Sequence, residues 1–346
     1  MTASPLLECV PNFSEGRRPE VIGHIVTQLA SVPGARVLDV SSGAAANRTV
    51  VTLAGHPDAV SEAAFRGIRT AIDAIDMRRQ QGVHPRIGAA DVVPLVPLRG
   101  VSMDDAVALA HALGSRVGAE LGVPVYHYGE AARPDRPSGL AALRRGELEG
   151  LRARLEAGRL PPDAGPGRWS ESVARSGASA VGARGFLVAL NVTLTTGDVS
   201  VARDIAARIR SRGPVLRSED GAVVRDPSGQ PRRATGAFPG VRAIGWRIEE
   251  YGRAQVSMNL VSPLELSVLS LIERVETLAG AAGADVAGCE LIGLMPESVL
   301  ARVGREAGAS TSLAEAGFDR LRLDHLRPLR VEEVLLESQM RQHGLL

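Results

Sequence analysis

The chain of 346 residues contains no lysine, so all 40 of its Lys+Arg positions are arginine. That absence excludes a Schiff-base lysine and the phosphate-gripping lysine of a Walker loop. Every permanent positive side-chain charge is a guanidinium, whose planar fork suits bidentate pairing with carboxylates. Two cysteines, Cys9 and Cys289, are too few for a disulfide framework or a cysteine-based metal cluster. No apolar run approaches the ~18 residues that a membrane span needs. The start, Met1 to Pro5, lacks the basic and apolar regions of a signal peptide, which predicts a cytoplasmic protein. A net charge of +1 with no basic block argues against nucleic acid as the main partner. Familiar motifs are missing too. There is no His-Glu-x-x-His, Cys-x-x-Cys or Gly-x-Ser-x-Gly, and Gly182-Ala-Arg-Gly185 lacks the dinucleotide spacing and precedes a strand.

What is present is globular: 45% hydrophobic residues in a length comfortable for two domains of ordinary size. The first half reads as strand 5–11, helix 19–32 opened by proline, strands 35–41 and 48–54, helix 57–76 and strand 89–98. A further helix, 102–120, and strand, 122–128, extend it. The second half repeats the order with strand 186–195, helix 197–212, strands 242–251 and 254–261, helix 263–281 capped by Ser262-Pro263, and strand 286–295. Two β-α-β-β-α-β units predict an α+β protein of two ferredoxin-like subdomains, 1–184 and 185–335, packed face to face around a groove. The stretch 158–179, rich in Gly, Pro and Ser, has loop chemistry, and 213–240 reads as an inserted flap or arm.

Of the seven histidines, His24 and His111 fall inside amphipathic helices. His56 begins a helix that it can cap, while His325 and His343 lie in a polar C-terminal tail. His127 alternates with Tyr126 and Tyr128 and so points away from both, which predicts a packing role. His84 sits in the glycine- and proline-punctuated run Gly82-Val-His-Pro-Arg-Ile-Gly-Ala-Ala-Asp91, where the following proline holds its backbone extended. From the residues alone it is open whether His84 is catalytic or structural.

Several separated motifs carry a resemblance. They are Glu8-Cys-Val-Pro-Asn-Phe-Ser-Glu-Gly16, Asp39, Ala46-Asn-Arg-Thr-Val50, Ile75-Asp-Met-Arg78, His84-Pro-Arg86 with Gly88 and Asp91, and Val123-Pro-Val-Tyr126 with Tyr128 to Arg133. Gly182-Ala-Arg184, Asn191, Ile244-Gly-Trp246, Ala254 to Ser257, Asn259-Leu260 and Leu291 to Leu294 continue the series. In this order, and over nearly the whole chain, they resemble glutamate formimidoyltransferase, the formiminotransferase part of the formiminotransferase-cyclodeaminase family.

The resemblance implies transfer of a formimidoyl group from N-formimidoyl-L-glutamate to N5 of tetrahydrofolate as co-substrate, with release of glutamate in histidine degradation. It implies small-molecule partners, a homodimer and no metal. The family's catalytic histidine falls on His84. Its folate-binding loop falls on Gly165–Gly177, with Gly165, Pro166, Gly167, Arg168, Trp169, Ser170, Ser176 and Gly177 as the expected contacts. Arg48 and Arg184 are the first candidates to grip glutamate carboxylates. Asn47 and Asp39 join them, Asp39 accepting from the pterin or orienting His84. Val83 stands where the family usually has glutamate, and loss of that carboxylate predicts a lower histidine pKa or altered acceptor recognition. The alternatives are a formimidoyl or formyl transferase using a different amine in a biosynthetic pathway, or a folate-binding protein with little turnover.

Overall fold

The computed structural model describes residues 4–346 of a mixed α+β chain. It divides into two compact units, residues up to Gly185 together with Gln342–Leu346, and Phe186–Arg341. The second therefore runs six residues beyond the expected limit of 335.

The first unit is built from β1 (Leu7–Cys9), β2 (Asn12–Phe13), α1 (Pro19–Ala30), β3 (Ala35–Gly43), β4 (Arg48–Gly55), α2 (Pro57–Ala74), β5 (Ala90–Pro97), α3 (Met103–Leu121), β6 (Val125–Gly129), α4 (Leu140–Leu143), α5 (Glu147–Glu156), α6 (Glu171–Ser176) and β7 (Ser179–Ala183). The expected strand over 5–11 is two pieces. Pro11 has no N–H to give to a ladder; pairing with β4 resumes at Asn12 in the same register, while against β5 the register slips between Asn12 and Phe13. The seven-stranded sheet has β3 on β4, then β1 and β2 side by side on the path between β4 and β5, then β7 and β6. Contacts among β1 to β5 are antiparallel, and β7 joins β5 and β6 in parallel.

Alternation along the last three of these strands splits the core in two. Val93, Leu95, Val125 and Val181 face α1, α2 and α3, whereas Val92, Tyr126, Tyr128 and Ala180 face α4, α5 and α6. His127, between the tyrosines, turns to the α3 side, where its ring lies 4.5 Å from that of His111. It packs there, as alternation predicts. α3 begins with a reciprocal cap, Ser102 Oγ accepting from Asp105 N at 3.1 Å and Asp105 Oδ2 accepting from Ser102 N at 2.9 Å.

The second unit holds β8 (Leu187–Leu194), α7 (Val199–Ile209), β9 (Arg212–Val215), β10 (Arg233–Thr235), β11 (Val241–Ile248), β12 (Arg253–Val261), α8 (Val268–Ala281), β13 (Val286–Ile292), α9 (Glu297–Glu306), α10 (Leu313–Leu321), α11 (Val331–Val334) and α12 (Leu336–Gln342). Its four-stranded antiparallel sheet runs β11-β12-β8-β13. Val188, Leu190, Val192 and Leu194 pack with α7 and α8 in one cluster.

Two readings need correction here and a third gains detail. α8 starts at Val268 and not at Pro263: Ser262 takes a left-handed conformation (φ 58), and Ser267 supplies the cap by accepting from Ser270 N at 3.2 Å. The region 213–240 contains a paired strand, β9 with β10. The tail that holds His325 and His343 forms α11 and α12, and its Val334 and Leu335 join the core, as do Val299, Leu300, Val303, Phe318 and Leu321 of α9 and α10 before it. Among the described residues no helix is long and apolar enough to cross a membrane.

Candidate active site

His84 arrives on the connection between α2 and β5. After α2 the chain makes one helical turn, Met77–Arg79, capped by Asp76, and then runs back along the β3–β4 turn. Asn47, in the left-handed conformation (φ 47), closes that turn. Its Nδ2 donates to Gln80 Oε1 and, at 3.1 Å, to Gln81 O, while its Oδ1 accepts from Gly16 N at 3.0 Å. Val83 N donates to Ala45 O at 3.1 Å. Gly82 is required for this approach, because a Cβ there would lie 2.3 Å from Ala46 O. Arg86 finishes the loop by donating from Nη1 to Gly82 O and His84 O at 3.3 and 3.2 Å. The stretch before Gly16, the Gly43–Asn47 turn and the His84 loop are thereby joined.

The His84 ring is half-buried and its Nδ1 lies 2.8 Å from Pro85 O. A carbonyl only accepts, so in the neutral ring Nδ1 carries the proton and Nε2 the lone pair. Burial, reinforced by the Arg48 and Arg144 guanidiniums, lowers the imidazole pKa well below 6.5, and Asp91 opposes this only in part. At neutral pH the His84 ring is uncharged. Val83 beside it is exposed and adds no carboxylate to counter that depression.

Asp91, fully buried at the start of β5, organises the positive charge. Its Oδ2 accepts from Arg48 Nη1 at 2.8 Å and Arg144 Nη2 at 2.5 Å, and its Oδ1 accepts from Ile87 N at 2.8 Å. Burial alone pushes this carboxyl up, but the Arg144 and Arg48 charges and the Ile87 N–H outweigh it and hold it at about 2. Arg48 also donates from Nε to Asn12 Oδ1 at 3.0 Å. Burial is the largest influence on Arg48 and lowers its pKa to about 10 despite Asp91, with Arg144 adding to the depression. At about 10 the Arg48 guanidinium is still charged at neutral pH.

The stretch 158–179, expected to be loop, carries α6. Ser170 caps it by accepting from Val173 N at 3.3 Å. Gly177 (φ 66) ends it in a conformation that suits glycine, and a Cβ there would lie 2.0 Å from Ile87 O. Ala178 N donates to Ile87 O and Ala89 N to Ser176 O, both at 2.8 Å. Ser176 and Gly177 thus lie against the residues that follow His84. Trp169 packs on the cluster containing Leu143, Leu151 and Ile87, with the Arg152 guanidinium 5.8 Å from its ring centroid. Gly165 and Arg168 are exposed and Pro166 is half-buried; Gly167 and Ser170 are also exposed.

Of the other candidates, Arg184 donates from Nη1 to Gly185 O at 2.8 Å and, with Arg144, acts on the buried Tyr128 hydroxyl, which burial otherwise pushes up. Asp39 sits opposite Thr52 in the β3–β4 ladder, four positions along β4 from Arg48, and accepts from Ser41 Oγ at 2.8 Å. Asn47 is buried, its amide committed to the loops it joins. Sequence reasoning passed over the role of Asp91 and missed Arg144 altogether. A signal for the first existed, since a lone carboxylate inside the apolar run Ala89 to Val96 demands a partner. Nothing local marks Arg144 among so many arginines.

The second unit buries a polar network of its own. Trp246 Nε1 donates to Gln255 Oε1 at 3.1 Å, and Gln255 Nε2 donates to Thr193 Oγ1 and Glu290 Oε2 at 3.0 and 3.2 Å. Asn191 Nδ2 reaches the same Glu290 oxygen at 3.1 Å. Among the described residues no three His, Cys, Asp or Glu side chains converge as a metal site.

Two family descriptions match the chain: "Formiminotransferase domain, N-terminal subdomain" over residues 6–184 and "Formiminotransferase domain" over 189–314. The chain is 40% identical to a formimidoyltransferase-cyclodeaminase of Sus scrofa, over 99% of this chain and 61% of the relative. It is 38% identical to a glutamate formimidoyltransferase of Thermoplasma acidophilum, over 87% and 91% of the two chains. To one of Streptococcus pyogenes it is 36% identical, over 85% and 90%. The chain thus spans about six-tenths of the length of the animal relatives it matches.

Proposed function

We propose that this chain, which belongs to the formiminotransferase family, moves the formimidoyl group of N-formimidoyl-L-glutamate to N5 of tetrahydrofolate and releases L-glutamate, a step of histidine degradation and one-carbon metabolism. The observation that carries the reading is a histidine held neutral beside buried guanidinium charge. N5 attacks the amidine carbon and a tetrahedral intermediate forms. His84 takes the proton that N5 loses and returns it to the glutamate nitrogen as the C–N bond to glutamate breaks, so no net proton is consumed. The guanidiniums hold the anionic donor, with Arg48 and Arg184 the residues first assigned to it. Asn47 acts through the loops it joins, and Asp39 serves the pterin side. Proximity of the two bound substrates supplies much of the rest.

The folate loop is Gly165 to Gly177, with Gly165, Pro166, Gly167, Arg168, Trp169 and Ser170 meeting the cofactor-like acceptor and Ser176 and Gly177 tying that contact to the His84 loop. Each unit has ferredoxin-like topology; the matching strand orders, β3-β4-β1-β5 and β11-β12-β8-β13, support this. A homodimer and a cytoplasmic setting belong to the same proposal through the family resemblance. Exposed Val83, standing in place of an acidic residue, favours a second reading in which the acceptor is a different amine.

Activity against pH tests the role of His84. Glutamate release from N-formimidoyl-L-glutamate should require tetrahydrofolate. The kcat/KM for the donor should be level from neutral pH upward and fall only below the ordinary histidine value of 6.5, because the base form persists until the lowered pKa is reached. A rising limb centred above pH 7 contradicts a neutral-held base.

A further inference from the structure

We infer that Arg144 receives a glutamyl carboxylate and is a residue that sets substrate preference. The inference rests on the formimidoyl-transfer reading. Arg48 and Arg144 share the single carboxylate of Asp91, both through Oδ2. One negative charge thus faces two positive ones, with Arg48 6% and Arg144 13% exposed. A buried charge without full compensation is costly, and burial, with Arg144 adding to it, lowers the Arg48 pKa despite Asp91. Arg86, also buried, leans on Glu147 and Glu149 as well as Asp91, so it takes part of the same carboxylate's field. An anion restores the balance.

The donors point the same way. Arg144 Nε is buried with no acceptor among the described residues. A guanidinium with a donor unspent can meet a carboxylate with charge-assisted hydrogen bonds. Arg144 follows directly on α4, as its C-terminal cap, and the preceding Leu143 belongs to the same small core as Ile87 and Tyr128. Its charge acts on both the His84 ring and the Tyr128 hydroxyl, so a carboxylate held there lies within electrostatic reach of the proposed base. Asp91, tethering Arg48 and Arg144 at one oxygen, fixes where the two forks stand.

A glutamyl carboxylate can come from the formimidoyl donor or from the glutamate tail of the folate, and steady-state kinetics on the full chain separates them. In Arg144→Met the KM of the substrate whose carboxylate is held should rise roughly 10- to 100-fold, the KM of the other changing less than about twofold. Arg144→Lys keeps the charge beside Asp91 but lacks the fork. It should fold with an unchanged melting temperature and regain only part of the affinity. Glutarate, a plain dicarboxylate, should raise the melting temperature of the wild-type chain and do so far less in Arg144→Met. Unchanged KM values for both substrates in Arg144→Met, or equal stabilisation of both chains by glutarate, overturns the inference. If wild-type transfer is absent while the glutarate difference is present, the transfer reading fails and the carboxylate site stands.

Discussion

Replacing His84 with alanine is expected to lower kcat for formimidoyl transfer by roughly 10²- to 10⁴-fold, the usual cost of losing a general acid–base group. The fold should survive. The side chain is half-buried on a loop, and its surroundings are held by Asn47, Gly82 and Arg86 through backbone and side-chain bonds that do not use the imidazole. The neutral ring also carries no charge on which Asp91 depends. Melting temperature and tetrahydrofolate affinity should therefore stay close to those of the parent chain, so that the loss appears in kcat. Turnover within a few-fold of wild type would remove His84 from the proton transfers.

Asp91→Asn should have the opposite signature, a large loss of stability. The substitution preserves shape and removes the one carboxylate between the buried Arg48 guanidinium and the partly buried Arg144 guanidinium. Breaking such a pair by deleting one partner costs about 3 to 5 kcal/mol, which for a unit of this size lowers the melting temperature on the order of 10 °C. The carboxyl, held at about 2 against an ordinary 3.8, favours the folded state above pH 3.8, and that contribution is lost as pH falls through about 2. The asparagine chain should lack this part of the acid transition. Thermal unfolding followed by circular dichroism decides the point; a shift of less than about 2 °C at neutral pH means that the Arg48–Asp91–Arg144 cluster contributes little.

The sequence made much of this legible because its signals are local. Pro57 and Ser102 mark the starts of α2 and α3, and alternation in Tyr126-His127-Tyr128 assigns each side chain its face. His84 stood out because its glycine and proline neighbours allow a loop to lie close against another backbone. What escaped depends on meetings across the chain. Asp91 and Arg144 lie 53 residues apart with no periodicity between them. α6 is six residues long, in a stretch dominated by turn formers, and is held by its Ser170 cap and by Val173 and Ala174 packing beneath it. The C-terminal helices are a different case: Val299, Leu300 and Val303 at helical spacing were readable as a buried stripe.

The most direct test of the central claim compares two donors, N-formimidoyl-L-glutamate and N-formimidoylglycine, each mixed with the purified chain and tetrahydrofolate while release of the free amino acid is followed. A site with surplus buried guanidinium charge should turn over the dicarboxylate donor well. It should be slower by orders of magnitude on glycine's single carboxylate, since an unpaired buried charge costs several kcal/mol. Equal rates on the two donors contradict the carboxylate-matched site. If neither donor reacts but formimidoyl-tetrahydrofolate passes its group to another amine, the assignment to glutamate is wrong and transfer to that amine replaces it.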